Sequence, residues 1–216
     1  MIVTIDGPAG SGKSTVARRL AERLAFRFLD SGALYRCVTF AALERGLSLK
    51  DGLGLGRLAD GLGIAFGEGN LVLLDGRDVT TEIRTERVTS NVSEVASHAE
   101  VREALKGLQR ACAVGTDLVC EGRDMGTVIF PQAEVKVYLD ASPETRAMRR
   151  MTELALSGEE VSLAELVTRM AERDRIDSTR ETAPLRRSEN QILVDTSGLT
   201  IDEVVVRLSN LVPPRS

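Results

Sequence analysis

The sequence predicts a three-layer α/β fold built on a central five-stranded parallel sheet. Three observations carry this. Five short apolar runs, IVTID, FRFLD, DLVCEG, VKVYLDA and ILVDTS, alternate with stretches of helical periodicity. A glycine-rich segment joins the first run directly to the first helix. Residues 47–84 interrupt the alternation with a Gly-rich stretch and short, turn-separated strand patterns, as an inserted antiparallel hairpin would. Strands of a parallel sheet read as continuous apolar runs because crossover helices cover both faces.

Taken in order, residues 2–6 form the first strand and run into GPAGSGKST. From Lys13 to Ala25 the apolar residues Val16, Ala17, Leu20 and Leu24 keep helical spacing. Residues 26–30 are a second strand, and 32–46 a helix ended by Gly46 as its C-cap. Within 47–84, IAFGEG and NLVLLDG are strands and DGRD a turn. Helical texture returns over 85–113, with a break near Ser97–Ala99. Strands follow at 117–122 and 135–141. Ser142 caps a helix opened by Pro143 and Glu144. A short break, SGEE at 157–160, leads to a helix from about 162 to 181. After the fifth strand at 192–197, Thr200 and Glu203 make a capping box for the last helix, which stops before Pro213. No repeats or low-complexity segments interrupt the pattern.

Composition narrows the function. The 216 residues suit one domain, with 43% hydrophobic and 28% charged residues. A net charge of -4 argues against a dedicated nucleic-acid or anionic-membrane surface. Cys37, Cys112 and Cys120 are odd in number and form no CxxC pair, so a disulfide scaffold or zinc ribbon is not expected and a reducing cytosol is. The opening MIVTIDG has no basic n-region and no apolar segment of ~7–15 residues, so no signal peptide is expected, and no apolar run approaches the ~20 residues that span a bilayer. The single histidine, His98, removes His-pair metal sites and most His relays.

In such sheets ligands bind beyond the carboxyl ends of the strands. The first strand is followed there by Gly7, Pro8, Ala9, Gly10, Ser11, Gly12, Lys13, Ser14 and Thr15, which fit G-x-x-x-x-G-K-[ST]. Glycines let backbone N–H groups turn inward around phosphate oxygens, and the helix N-terminus adds partial positive charge. Lys13 is expected to reach the β- and γ-phosphates and the Ser14 hydroxyl to ligand Mg²⁺. The motif fixes a nucleoside triphosphate but not the acceptor. Motifs of the N-K-x-D type that read a GTPase's base are absent.

Four further sets sit at the same edge or on helices fed from it. Asp30-Ser31-Gly32-Ala33-Leu34-Tyr35-Arg36 follows the second strand, and Glu121-Gly122-Arg123-Asp124-Met125-Gly126-Thr127 the third. Arg146, Arg149 and Arg150 share one helix face; Arg173, Asp177 and Arg180 share another. Each set alone also fits a capped turn or a solvated face. Their convergence is what points to a second phosphate-binding site.

IDGPAGSGKST, LDSGALYR, EIRTERVTSNVSEVASHAEVREAL, EGRDMGTVIFPQAEVKVYLDAS and RDRIDSTRETAPL together resemble the bacterial cytidylate kinases, over nearly the whole chain. The resemblance implies a single P-loop kinase domain over 1–216. Within it, about 31–97 would be a nucleoside-monophosphate-binding region including an enlarged insert at 50–90, and about 151–163 a lid. It implies transfer of the γ-phosphoryl group of ATP to CMP or dCMP with Mg²⁺. Ser31, Arg36 and Arg123 match positions that hold the CMP phosphate. Ser93, Arg102 and Asp124 match positions reading the cytosine edge, and Arg173, Asp177 and Arg180 positions reaching the sugar and base. Lys13, Arg123, Arg146 and Arg150 are the expected catalytic set. At Glu121 the family varies between Asp and Glu, so no role is assigned. A cytoplasmic monomer is expected, with no nucleic-acid or membrane partner. A kinase for another monophosphate or small metabolite, and a nucleotide-binding regulator with weak ATPase activity, are the competing readings.

Overall fold

The computed structural model describes residues 1–67, 69–156 and 161–214. The chain divides into two compact units, Met1–Leu29 together with the chain from Cys112 onward, and Asp30–Ala111.

The first unit holds β1 (Ile2–Asp6), α1 (Lys13–Leu24), β2 (Arg27–Asp30, its last residue at the boundary), β6 (Leu118–Gly122), β7 (Val135–Asp140), α7 (Pro143–Leu156), α8 (Leu163–Thr179), β8 (Ile192–Asp195) and α9 (Ile201–Ser209). The second holds α2 (Ser31–Glu44), α3 (Gly52–Gly61), β3 (Ile64–Phe66), β4 (Val72–Leu74), β5 (Arg77–Asp78), α4 (Glu86–Thr89), α5 (Val92–Ser97) and α6 (Ala99–Ala111).

The five-stranded sheet has the order β2-β6-β1-β7-β8. It is parallel, with Val3 opposite Val119 on one side and Val135 on the other, and Val137 opposite Ile192. Val3, Ile5, Val137, Leu139 and Val194 pack against Val16, Ala17 and Leu20 of α1 and Val204, Val205 and Leu208 of α9. These alternate strand positions explain why every second residue of β7 is buried. Because the strands are parallel, the segments after β1, β6, β7 and β8 leave the sheet at one edge.

The expected caps are present. Thr145 N donates to Ser142 Oγ at 3.2 Å, and Thr200 and Glu203 exchange both bonds of a capping box. Ser162 caps α8, which ends at Thr179. The expected break at 157–160 lies outside the described residues.

The second unit differs from the sequence reading in three places. The Gly-rich stretch, to which the sequence reading assigns no element, is a helix, α3. Asp51 caps it by accepting from Gly54 N at 2.9 Å, and Leu55, Leu58 and Ala59 enter the core. A Cβ on Gly56 would lie 2.7 Å from Glu100 Cβ, so the small residue permits close approach of α3 and α6. In DGRD only Asp75 and Gly76 turn, both with positive φ of 51° and 81° as a two-residue hairpin requires. Arg77 and Asp78 already belong to β5. Over 85–113 the chain breaks at Ser90–Asn91 as well as at His98, giving three helices instead of two. The last turn of α2 places Arg45 as C-cap and Gly46 one residue on, with φ +64°.

Candidate active site

The segment from Gly7 to Gly12 turns sharply between β1 and α1, with φ of +151°, +73° and +88° at Gly7, Gly10 and Gly12. A Cβ on Gly7 would lie 2.0 Å from the Leu139 carbonyl oxygen, so no other residue fits against β7 there. Lys13 opens α1 and is buried, its Nζ donating to Pro8 O at 2.6 Å and Ser11 Oγ at 3.4 Å. Burial lowers its pKa to about 7, helped by the Arg123 charge, against the pull of Glu121. An anion held in the loop would reverse that balance. Ser14 Oγ donates to Glu121 Oε1 at 2.7 Å, joining α1 to the end of β6. Thr15 is exposed beside it.

Two arginines of α7 brace the loop from outside. Arg146, buried, donates to Ala9 O at 3.0 Å and Ala141 O at 3.2 Å and pairs with Asp174. Asp174 in turn accepts from Ala9 N at 3.2 Å. Arg149 donates to Ser11 O at 3.4 Å and to Thr196 O at 2.7 Å. Arg150, on the same helix, donates instead to Glu153 at 3.1 Å. The structure therefore brings Arg146 and Arg149 to the loop.

The turn after β6 carries the second cluster of this unit. Arg123 Nε donates to Asp177 Oδ2 at 2.8 Å. Arg180 Nη2 lies 3.8 Å from Asp124 Oδ1 and its Nη1 4.0 Å from Asp177 Oδ1. Asp124, Asp177 and Arg180 are all buried, and Arg173 and Arg123 half-buried. Burial opposes the charges, but Arg123 and Arg173 hold the Asp177 carboxyl below the usual range. Against the same burial, Asp177 holds the Arg123 guanidinium more firmly protonated than an exposed arginine. A buried network of this kind is costly unless each charge is matched, and here forks face carboxylates.

The second unit gathers the remaining candidates. Ser31 is buried in the first turn of α2, capped by Asp30, which accepts from Ala33 N at 3.1 Å. Arg36 donates to Ile83 O at 3.1 Å and Thr89 Oγ1 at 2.8 Å. Arg102, buried on α6, donates to Ala96 O at 3.3 Å and stacks its guanidinium 5.3 Å from the centroid of the Tyr35 ring. Ser93 is buried in the first turn of α5. Tyr35 is thus the platform under Arg102. His98 Nε2 lies 2.8 Å from Leu49 O, a structural bond.

The family model described as cytidylate kinase matches residues 3–213. The chain belongs to the cytidylate kinase family. It is 49% identical to the cytidylate kinase of Carboxydothermus hydrogenoformans, over 98% of this chain and 97% of that one. It is 46% identical to the cytidylate kinase of Shouchella clausii, over 99% and 96%. A solved structure of an uncharacterized protein from Eubacterium ventriosum shares the fold, with a TM-score of 0.54 at 12% identity, covering 97% of this chain and 96% of that one.

Against this membership of the cytidylate kinase family, the sequence reading left out four contributors to the site. Asp174 and Thr196 anchor Arg146 and Arg149; an arginine held at a backbone carbonyl needs such partners, but nothing in local spacing names them. Asp6 and Gln191 lie buried behind the turn after β6. Asp6 did give a signal: a carboxylate closing an otherwise apolar strand. Glu121, left without a role, bonds directly to Ser14.

Proposed function

We propose that this cytidylate kinase family member transfers the γ-phosphoryl group of ATP to CMP or dCMP, giving ADP and CDP or dCDP. One observation supports the reading most. The end of β6 touches the first turn of α1, just after the phosphate loop, through Glu121 and Ser14, and the turn that follows reaches the buried cluster through Arg123–Asp177 and Asp124–Arg180. Donor loop and candidate acceptor residues share one support.

The acceptor is a phosphate oxygen, already anionic because its second pKa is about 6. No general base is needed. The barrier lies in bringing two anions together, and positioned cations with backbone dipoles lower it. Loop amides and Lys13 hold the triphosphate. We assign Arg123 and Arg146, with Arg150 and its neighbour Arg149, to charge developing on the transferred group. Ser31, Arg36 and Arg123 take the CMP phosphate, Ser93, Arg102 and Asp124 the cytosine edge, and Arg173, Asp177 and Arg180 the sugar and base. We assign 31–97 as the monophosphate-binding region and 151–163 as the lid, of which 157–160 lie outside the described residues.

Mg²⁺ fits this chain. Ser14 Oγ and Glu121 Oε1 are two hard oxygen donors 2.7 Å apart at the loop. Among the described residues no cluster of three or more His, Cys, Asp or Glu could hold a metal alone, which suits an ion that takes most of its ligands from phosphates and water. When bound, it neutralises charge on the β- and γ-phosphates. We also place the protein in the cytoplasm, a reading that three free thiols support, and propose that it works as a monomer.

A coupled ADP-release assay with CMP, dCMP, UMP, AMP and shikimate as acceptors tests the reading. CMP and dCMP should give the highest kcat/KM; preference for another acceptor would overturn it.

A further inference from the structure

Asp6 closes β1 one residue before the phosphate loop and is fully buried. Its Oδ1 accepts from Met125 N at 2.8 Å. Its Oδ2 accepts from Gly126 N at 2.9 Å and from Gln191 Nε2 at 2.8 Å. All three donors are uncharged amides. Gln191 is buried too, and its Oε1 accepts from Ser188 N at 2.9 Å, so its orientation is fixed.

A buried carboxylate is costly, and space alone would be filled more cheaply by an apolar side chain. Three donors aimed at two oxygens require an acceptor-only group. Asparagine would present an amino group to at least one donor. What these bonds hold is the far side of the Asp124–Met125 peptide. The near side is held by the Asp124 carbonyl, which accepts from Val128 N at 2.9 Å and Ile129 N at 3.2 Å. The turn is gripped from both sides, and the residues it presents are Arg123 and Asp124.

We infer that Asp6 and Gln191 are positioning residues for acceptor recognition: they lock the turn after β6 so that Arg123 and Asp124 are preset for the monophosphate before it binds. The inference rests on the reading of those two residues as CMP-binding. Neither Asp6 nor Gln191 touches substrate in this account. Preorganisation lowers the ordering cost of binding, so its loss shows first in acceptor affinity and base choice.

The test is steady-state kinetics of wild type, Asp6→Asn, and the double variant Asp6→Asn with Gln191→Glu. The single variant should raise the KM for CMP roughly tenfold or more, the size of a lost buried polar contact. It should narrow the CMP-over-UMP ratio and leave the KM for ATP within about twofold. In the double variant the amide introduced on β1 donates to the carboxylate introduced opposite it, but Gly126 N, which shares that oxygen in the wild type, stays without its acceptor, so the KM for CMP should return only part of the way toward wild type. A merely structural role would lower kcat for every substrate without moving either KM. If Asp6→Asn does not fold, Gln191→Ala decides, because it keeps both backbone bonds; about a threefold rise in the KM for CMP is expected. An unmoved KM for CMP and an unmoved CMP-over-UMP ratio in the variant that folds would overturn the inference alone. A wild type that fails to phosphorylate CMP would overturn the reading on which it rests.

Discussion

The Ser14 hydroxyl donates to the Glu121 carboxylate across 2.7 Å, tying the first turn of α1 to the end of β6. Two hard oxygens meet where a Mg²⁺-bearing triphosphate is expected, and one carries charge. Glu121→Gln keeps the size and removes the charge. Turnover should fall roughly tenfold or more and the Mg²⁺ concentration for half-maximal rate should rise, since hydrogen bonds to charged groups are worth ~1.5–3 kcal/mol. An Mg²⁺ titration of kcat checks both; unchanged values would remove Glu121 from the site.

Lys13 is held near pKa 7 by burial and by Arg123. The sign follows from linkage. A lysine lowered from 10.5 binds fewer protons in the folded state between pH 7 and 10.5, so stability gained from this group grows as pH rises through that window. Triphosphate binding restores the charge. At pH 8 ATP binding should take up a large fraction of a proton, read from calorimetry in buffers of different ionisation enthalpy. Lys13→Ala should abolish the uptake, melt near the wild-type temperature and lose roughly 10²–10³-fold or more in kcat, the scale of one lost transition-state donor. Near-normal turnover would remove the phosphate-loop assignment.

Asp124 and Arg102 carry the expected base choice. Cytosine offers an amino donor at position 4 where uracil offers a carbonyl, which a carboxylate repels. Asp124→Asn should narrow the CMP-over-UMP ratio of kcat/KM by roughly tenfold, as expected for losing a buried polar contact of ~1–3 kcal/mol. Equal ratios in mutant and wild type would place base reading elsewhere.

Gly7 allows no side chain. A Cβ there meets the Leu139 carbonyl at 2.0 Å, and the backbone cannot yield without shifting β7. Gly7→Ala should cost ~1–3 kcal/mol or more and lower Tm by about 2–4 °C per kcal/mol at this chain length. A melt matching wild type would mean that the β1–loop junction is looser than described.

Much of the fold was legible because alternation of apolar runs and helical periods is a local signal. The five strands, the capping box at Thr200 and the start of α7 at Ser142 all come from neighbours in sequence. The helix α3 was not legible, since glycine disfavours helix and what overrides it is tertiary: Leu55, Leu58 and Ala59 enter the core, and Gly56 lets Glu100 come close. The phosphate loop and Arg123–Asp177 belonged to named motifs. The bonds of Asp6 to Gln191, and of Arg149 to Thr196, join residues 185 and 47 positions apart and exist only once the sheet has formed. Side-chain partners at that separation leave no spacing to read.

The central claim is phosphoryl transfer to a monophosphate rather than to water, and the most direct measurement is ADP formation from ATP with and without CMP. An enzyme of this kind must withhold the phosphoryl group from water until the acceptor is in place. Alone with ATP and Mg²⁺ the protein should form ADP very slowly, and saturating CMP should speed it by about 10³-fold or more, with CDP appearing in equal amount. ADP formed as fast without CMP, or without matching CDP, would contradict the account and leave an ATPase in its place.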